Sequence, residues 1–302
     1  MNEKPLISII IPTYNHSYFL KKCLESVINQ TFLRWEAIII NNFSNDNTID
    51  TVKKFNDGRI RLINFRNHGI IAASRNKGIE LALGKYIAFL DSDDWWYKNK
   101  LSMAFSYLKD ADIVYHDLEI VTPKGKKQWR NLRSRQLKKP IFLDLMTAHR
   151  TVLFNSSVVV KKDIINQVGN LCEEKKLAGA EDSDLWLKIS RMTDNFKHIP
   201  FFLGAYWQGD SNFTEISEKQ IERITELHKR HVGYLTFDAQ KKSTLSLYYA
   251  IGRCYQGMGE SKTALNYFKK SVKSSNIRIK LASILCIAVV CFFGITMFFK
   301  EK

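Results

Sequence analysis

The chain is short of the residues that build metal clusters and covalent frameworks. Its 302 residues include five cysteines and seven histidines. The cysteines, at 23, 172, 254, 286 and 291, have no metal-type spacing, and two of them lie in an apolar tail. That excludes a zinc module and a disulfide scaffold, and it points to a reducing compartment. The histidines are scattered. Acidic residues are outnumbered, 30 Asp plus Glu against 46 Lys plus Arg, which leaves a net charge of +16. No apolar run at the N-terminus is long enough for a secretory signal; the one there reads as a strand. The length suits one large α/β domain with an appendage.

What is present is concentrated in the first third. Leu6 to Ile11 is an apolar strand followed by Pro12-Thr-Tyr-Asn15. Tyr18 to Asn29 reads as a helix with Phe19, Leu20, Cys23, Leu24 and Val27 on one face. A strand over Trp35 to Ile40 ends in the polar run Asn41 to Thr48, which reads as a loop and helix cap before a helix at Ile49 to Phe55. Arg59 to Asn64 is a third strand and Gly69 to Leu83 a third helix. Repeated β-α units with apolar strands predict a parallel sheet covered by helices. The fourth strand, Lys85 to Leu90, ends abruptly in Asp91-Ser-Asp-Asp94. Carboxylates cannot follow a strand into a core without partners, so they belong at its carboxyl end, where open α/β sheets bind ligands. Asp91 and Asp93 are two apart and point the same way in extended chain. Two readings fit: hard oxygen donors for a divalent cation that also holds phosphate, or an acidic start to the next helix.

In sequence order, Ile11-Pro-Thr-Tyr-Asn15, the Asn41 to Thr48 loop, Asn67-x-Gly69 leading into Ala73-Ser-Arg-Asn-x-Gly78, Gly84 to Asp94 and Gly179-Ala-Glu-Asp-Ser-Asp-Leu-Trp186 resemble the family-2 glycosyltransferases. The resemblance covers residues 5 to 215. It implies the GT-A fold, a mostly parallel central sheet flanked by helices, and transfer of a sugar from a nucleotide diphosphate to a hydroxyl with inversion. By similarity, Asp93 holds Mn²⁺ or Mg²⁺, and Asp91 faces the metal or the ribose. Pro12, Thr13, Tyr14, Asn15, Asn41, Arg75, Asp91 and Ser92 fall on the nucleotide sugar, Arg75 near the base or phosphates. Asp182 matches the family's general base, with Glu181 and Trp186 at the acceptor. On charge pattern alone, Glu181 to Asp184 also fits an acidic first helical turn. Clustered carboxylates should raise at least one pKa, as a base requires.

Three departures from the family pattern carry information. Asn41-Asn42 replaces a position that is usually acidic, although a carboxamide can still pair with a uracil edge. Leu185 to Arg191 lacks the Gln-x-x-Arg-Trp run of processive members, which predicts one sugar per acceptor. Tyr206 to Asn212 lacks an Arg and a His that many members carry.

The resemblance extends to a biological setting. O-antigen and surface-polysaccharide transferases of this type use UDP-glucose or UDP-galactose on an N-acetylglucosamine-capped undecaprenyl diphosphate, with a β-1,3 link as the expected product. The expected partners are therefore a UDP-sugar, a lipid-diphosphate-linked sugar and inner-membrane lipid on the cytoplasmic side. Lys124 to Lys139 holds eight cations and no acid, which suits anionic headgroups or a solvated loop. No nucleic-acid recognition motif accompanies it. Residues 281–299 carry no charge, long enough as a helix to span about 28 Å, with cations concentrated before them. This predicts a membrane-inserted or membrane-associated tail over 277–302 that tethers the protein. Between the domain at 1–235 and that tail, residues 240–275 resemble one tetratricopeptide-type helical hairpin, which must pack on a neighbour. Two other classes fit the sequence less well. A sugar-nucleotide nucleotidyltransferase needs a Gly-rich basic loop after the first strand, and Pro12 to Phe19 contains no Gly, Lys or Arg. A non-catalytic membrane adaptor leaves the acidic strand end without purpose.

Overall fold

The structure, a computed structural model, describes residues 4–126, 131–148, 152–209 and 216–300. In chain order the elements are β1 (Ile7–Thr13), α1 (Ser17–Ile28), β2 (Trp35–Asn41), α2 (Thr48–Lys53), β3 (Ile60–Asn64), α3 (Ile71–Leu81), β4 (Tyr86–Phe89), β5 (Trp95–Trp96), α4 (Lys100–Tyr107), β6 (Ile113–Thr122), β7 (Gly125–Lys126), α5 (Ile141–Met146), β8 (Val159–Lys161), α6 (Lys162–Gln167), α7 (Glu181–Ser190), β9 (Phe196–Trp207), α8 (Glu218–Val232), α9 (Phe237–Gly257), α10 (Ser261–Ser271) and α11 (Ile277–Lys300). They fall into two compact units, one of Met1–Lys138 with Val152–Asn212, the other of Lys139–Thr151 with Phe213–Lys302. The short α5 segment goes with α8 to α11 in the second unit.

The first unit is built on one sheet in the order β3-β2-β1-β4-β8-β6-β9-β5, with β7 on β6. The motif-bearing strands form its parallel half: β1 pairs with β2 and β4, and β2 with β3. β1 and β2 are buried at every position, as near-continuous apolar strands covered on both faces must be. The other half is mixed: β8 runs antiparallel to β4 and β6, while β9 runs parallel to β6. Pairing Thr13 with Asn41 and Asn41 with Asn64 brings three strand ends to one edge. Leu90 N–H donates to Ile10 O at 3.1 Å, so the acidic run after β4 starts on that same edge.

A buried carboxylate secures the opposite edge. Glu36 accepts from Ser8 Oγ and Leu83 N, each at 2.7 Å, and pairs with Arg61 at 3.0 Å. Gly84 N donates to Ser8 Oγ at 2.9 Å. A Cβ on Gly84 would lie 2.7 Å from the Ser8 backbone nitrogen, so only glycine lets the chain enter β4 this close to β1.

The second unit contains the expected hairpin. α9 and α10 are joined by a turn at Met258 to Glu260, and Gly252 lets the Phe268 ring approach within 2.8 Å of where a Cβ would sit. The neighbour that the hairpin requires is α11. Ile279, Cys286 and Val290 are buried against Tyr249, Ala264 and Phe268, and Ser271 and Ser283 share a hydrogen bond at 2.8 Å. The opposite face of α11 presents Ile277, Leu281, Ile284, Leu285 and Val289 to solvent. Among the described residues no helix is long and apolar enough to cross a membrane. One face of α11 is occupied by the hairpin. Of the basic run Lys124 to Lys139, residues 127–130 lie outside the described part.

Candidate functional site

The acidic strand end separates into three carboxylates with different surroundings. Asp94 is 1% exposed and accepts from Ser156 Oγ at 2.5 Å and Trp207 N at 2.8 Å. Burial and its acidic neighbours push its pKa well up. It holds strands together rather than a ligand. Asp91 is partly open. Its Oδ1 accepts from Arg75 Nη2 at 2.7 Å and Asn155 Nδ2 at 3.2 Å, and Oδ2 has no donor among the described residues. Asp93 has no side-chain partner there at all, and burial together with the Asp91 charge raises its pKa to about 7. A half-buried carboxylate with no side-chain partner, beside a second with one free oxygen, fits a hard divalent ion that takes one or two carboxylates and completes its shell with phosphate oxygens. Among the described residues no group of three or more His, Cys, Asp or Glu side chains is arranged to hold a metal.

The second acidic group opens α7. Three carboxylates in its first turn, Glu181, Asp182 and Asp184, complement the helix dipole, and each has its own task. Asp184 pairs with Lys188 at 3.2 Å. Glu181 is 3% exposed; it accepts from Arg75 Nη1 at 2.6 Å and from Gly179 N at 2.5 Å. Asp182 is half-buried. Its Oδ1 caps Ser183 N at 2.6 Å, and its other oxygen has no donor among the described residues. Burial, then the Glu181 charge, raises its pKa to about 6. Asp91, Asp93 and Asp182 are thus the carboxylates here with oxygens to offer, Asp93 and Asp182 being the two without a side-chain cation on them.

Several expected residues sit differently. Asn41 is fully buried and its carboxamide is taken: Nδ2 donates to Asn64 Oδ1 at 2.7 Å, and Oδ1 accepts from Ser44 N and Oγ at 3.1 and 2.6 Å. It braces the strand ends and does not offer itself to a base. Asn42 is more open, with Oδ1 accepting from Asn67 N at 3.0 Å. Pro12 and Thr13 are buried, while Tyr14 is 54% exposed. Asn15 is open, with its N–H on Ser44 Oγ and its Oδ1 on Asn45 N. Arg75, expected at the base or phosphates, is buried between two carboxylates. Trp186, expected at the acceptor, is 3% exposed with its ring edge-on to Phe89 at 6.0 Å; it packs behind the site. Ser92 is buried, sharing a hydrogen bond with His16 Nδ1 at 2.9 Å.

Sequence reasoning missed four contributors. His16 is the partner of Ser92. Asn155 and Ser156 brace Asp91 and Asp94 from a short 3-10 turn before β8. Asp46 accepts from Ser17 N, Thr48 N and Thr48 Oγ1 at 2.9, 3.0 and 2.5 Å, tying the starts of α1 and α2 together, and these donors hold its pKa down near 2 against the opposing effect of burial. The polar run at 41–48 signalled a cap for α2 but not for α1.

A parallel sheet edge with acids after its fourth strand, faced by a helix that begins with acids, is the GT-A arrangement. Solved structures agree on the fold. Staphylococcus aureus TarS 1–349 in complex with UDP-GlcNAc superposes with a TM-score of 0.65 at 18% identity, over 91% of this chain and 82% of that one. The mannosyltransferase PcManGT from Pyrobaculum calidifontis, in complex with GDP-Man and Mn²⁺, gives 0.58 at 15% identity, over 96% and 81%. The model of glycosyl transferase family 2 matches residues 8–166, and the chain belongs to that family. Among relatives, the hyaluronan synthase of Pasteurella multocida is 31% identical over 66% of this chain and 20% of its own length. The Escherichia coli UDP-Glc:alpha-D-GlcNAc-diphosphoundecaprenol beta-1,3-glucosyltransferase WfgD is 39% identical over 38% of this chain and 47% of its own. The chain therefore spans a fifth to about half of these two curated relatives.

Proposed function

We propose that the chain is an inverting, metal-dependent glycosyltransferase. It moves one hexose, from UDP-glucose or UDP-galactose, to a hydroxyl of a lipid-diphosphate-linked sugar of the N-acetylglucosamine-diphospho-undecaprenol type, with a β-1,3 link, in O-antigen or surface-polysaccharide synthesis. The observation that carries the chemistry is the pair of carboxylates with free oxygens, Asp93 after β4 and Asp182 in α7. Family membership supports the reaction class; the printed activity of WfgD supports the donor and acceptor.

In this reading Asp93, with the free oxygen of Asp91, holds Mn²⁺ or Mg²⁺, which supplies Lewis-acid stabilisation to the departing diphosphate. Tyr14, Asn15 and the open side of Asn42 take the base. Asp182 accepts the acceptor's hydroxyl proton on its free oxygen. The acceptor oxygen then bonds to the anomeric carbon from the face opposite the leaving group, and the bond to UDP breaks with its electron pair on the phosphate oxygen. A pKa near 6 leaves Asp182 ionised at neutral pH while keeping it a better base than an ordinary aspartate. The exposed apolar face of α11, with Arg278 and Lys280 beside it, rests on the cytoplasmic side of the inner membrane, where the lipid acceptor is found.

The test is turnover with a panel of UDP-sugars, Mn²⁺ and a lipid-diphosphate N-acetylglucosamine acceptor. Asp93→Ala and Asp182→Asn should each lower kcat by about 10²- to 10⁴-fold, and chelation should abolish turnover. Parental rates of UDP release and product formation in both variants would remove the proposal.

A further inference from the structure

Arg75 joins the two halves of the site. It lies mid-helix in α3 with its side chain 5% exposed, and its two terminal nitrogens reach different elements: Nη2 to Asp91 Oδ1 after β4 at 2.7 Å, and Nη1 to Glu181 Oε1 in the first turn of α7 at 2.6 Å. The partners are 16 and 106 residues away in sequence. Its Nε is buried with no hydrogen-bond partner among the described residues, and its two terminal nitrogens are committed to the two carboxylates. Glu181 is equally committed, with its second oxygen on Gly179 N. Neighbouring carboxylates raise the guanidinium pKa against the opposing effect of burial, which keeps the bridge charged. A planar fork can hold two carboxylates at fixed separation; an ammonium cannot.

We infer that Arg75 is a positioning residue that locks the first turn of α7 to the strand end carrying Asp91, and so fixes Asp182 relative to the donor side of the site. It acts through Asp91 and Glu181 and touches neither substrate. The kinetic consequence rests on the transferase reading above; the mechanical one does not. Misplacing a reacting group by about 1 Å costs about 10²-fold in rate, so loosening this tie lowers kcat while leaving nucleotide affinity in place.

The test uses the full chain as Arg75→Lys, Glu181→Gln and the double variant. Hydrogen exchange without ligand is read at residues 90–95 and 181–184. The tie requires faster exchange at 181–184 in both single variants, faster exchange at 90–95 in Arg75→Lys, and a double variant no looser than Arg75→Lys alone. In turnover, each single variant should lose about 10²-fold in kcat and the double about the same, because residues acting as one unit are not additive. UDP affinity by calorimetry should stay within about threefold, below 1 kcal/mol. Exchange that changes only around residue 75 overturns the inference. So does a tenfold loss of UDP affinity in Arg75→Lys with normal kcat in Glu181→Gln, since Arg75 would then be a phosphate ligand. If Arg75→Lys does not fold, Glu181→Gln decides alone: faster exchange at 181–184 supports the tie and parental exchange overturns it. A parent that turns over no UDP-sugar sinks the transferase reading, while the exchange arm still decides the tie.

Discussion

Burial moves the pKa values of Asp182 and His116 in opposite directions. The proposed base Asp182 can accept a proton only when ionised, and its pKa is raised to about 6. The acidic limb of kcat/KM should therefore fall about tenfold per pH unit below about 6, and a pH-rate profile measures it. A limb near the ordinary aspartate value would mean that another group accepts the proton. His116 is fully buried; its Nδ1 faces the Asp117 carbonyl oxygen at 2.8 Å and its Nε2 has no partner among the described residues. Burial and the nearby Lys100 lower its pKa to about 3. The unfolded chain then binds the proton first, so stability is lost as pH falls from about 6.5 toward 3, by about 1.4 kcal/mol per unit at most. Thermal melts across that window should show the slope, and His116→Gln should flatten it. Neither residue's environment was visible in sequence. The acidic cluster announced a raised carboxylate pKa without saying which member, and nothing around His116 marked it as buried.

At the level of elements, periodicity carried most of the information. The strands and helices between residues 5 and 94 stand within a few residues of the sequence reading, because apolar runs of strand length and a 3.6-residue stripe have few other ways to be buried. Gly84 was legible as part of a motif, but its reason is the 2.7 Å approach to Ser8. Gly84→Ala should cost about 1–3 kcal/mol, since backbone rather than a pliable side chain must move, and denaturant melts will show it. A loss below half a kcal/mol would mean that the β1–β4 edge is looser than it looks. The destinations of Arg75, Asn155 and Ser156 were not legible. A helix position gives a direction, not the identity of carboxylates that the topology brings in from elsewhere. Asn41 failed for a related reason: the sequence put a carboxamide at a strand end and could not say that Asn64 and Ser44 would occupy it.

For the molecule as a whole, a net charge of +16 favours anionic surfaces. The exposed face of α11 adds apolar area to that attraction, and together they make a specific expectation. Leu285→Glu, 66% exposed in the parent, should leave the melting temperature within about a degree or two, as surface changes do, yet weaken binding to anionic vesicles by tenfold or more. Parental binding should itself decline as salt shortens the screening length. Sedimentation with phosphatidylglycerol vesicles at two salt concentrations reads both effects, and undiminished binding by Leu285→Glu would assign the contact to another surface.

Asp46 shows how economically this edge of the sheet is assembled. The leading amides of α1 and α2 both hang from its single carboxylate, one from each oxygen. The two helices are therefore yoked. Neither can drift from the other without surrendering an N–H to water, and a disturbance of the short loop between β2 and α2 is felt at once at the start of α1.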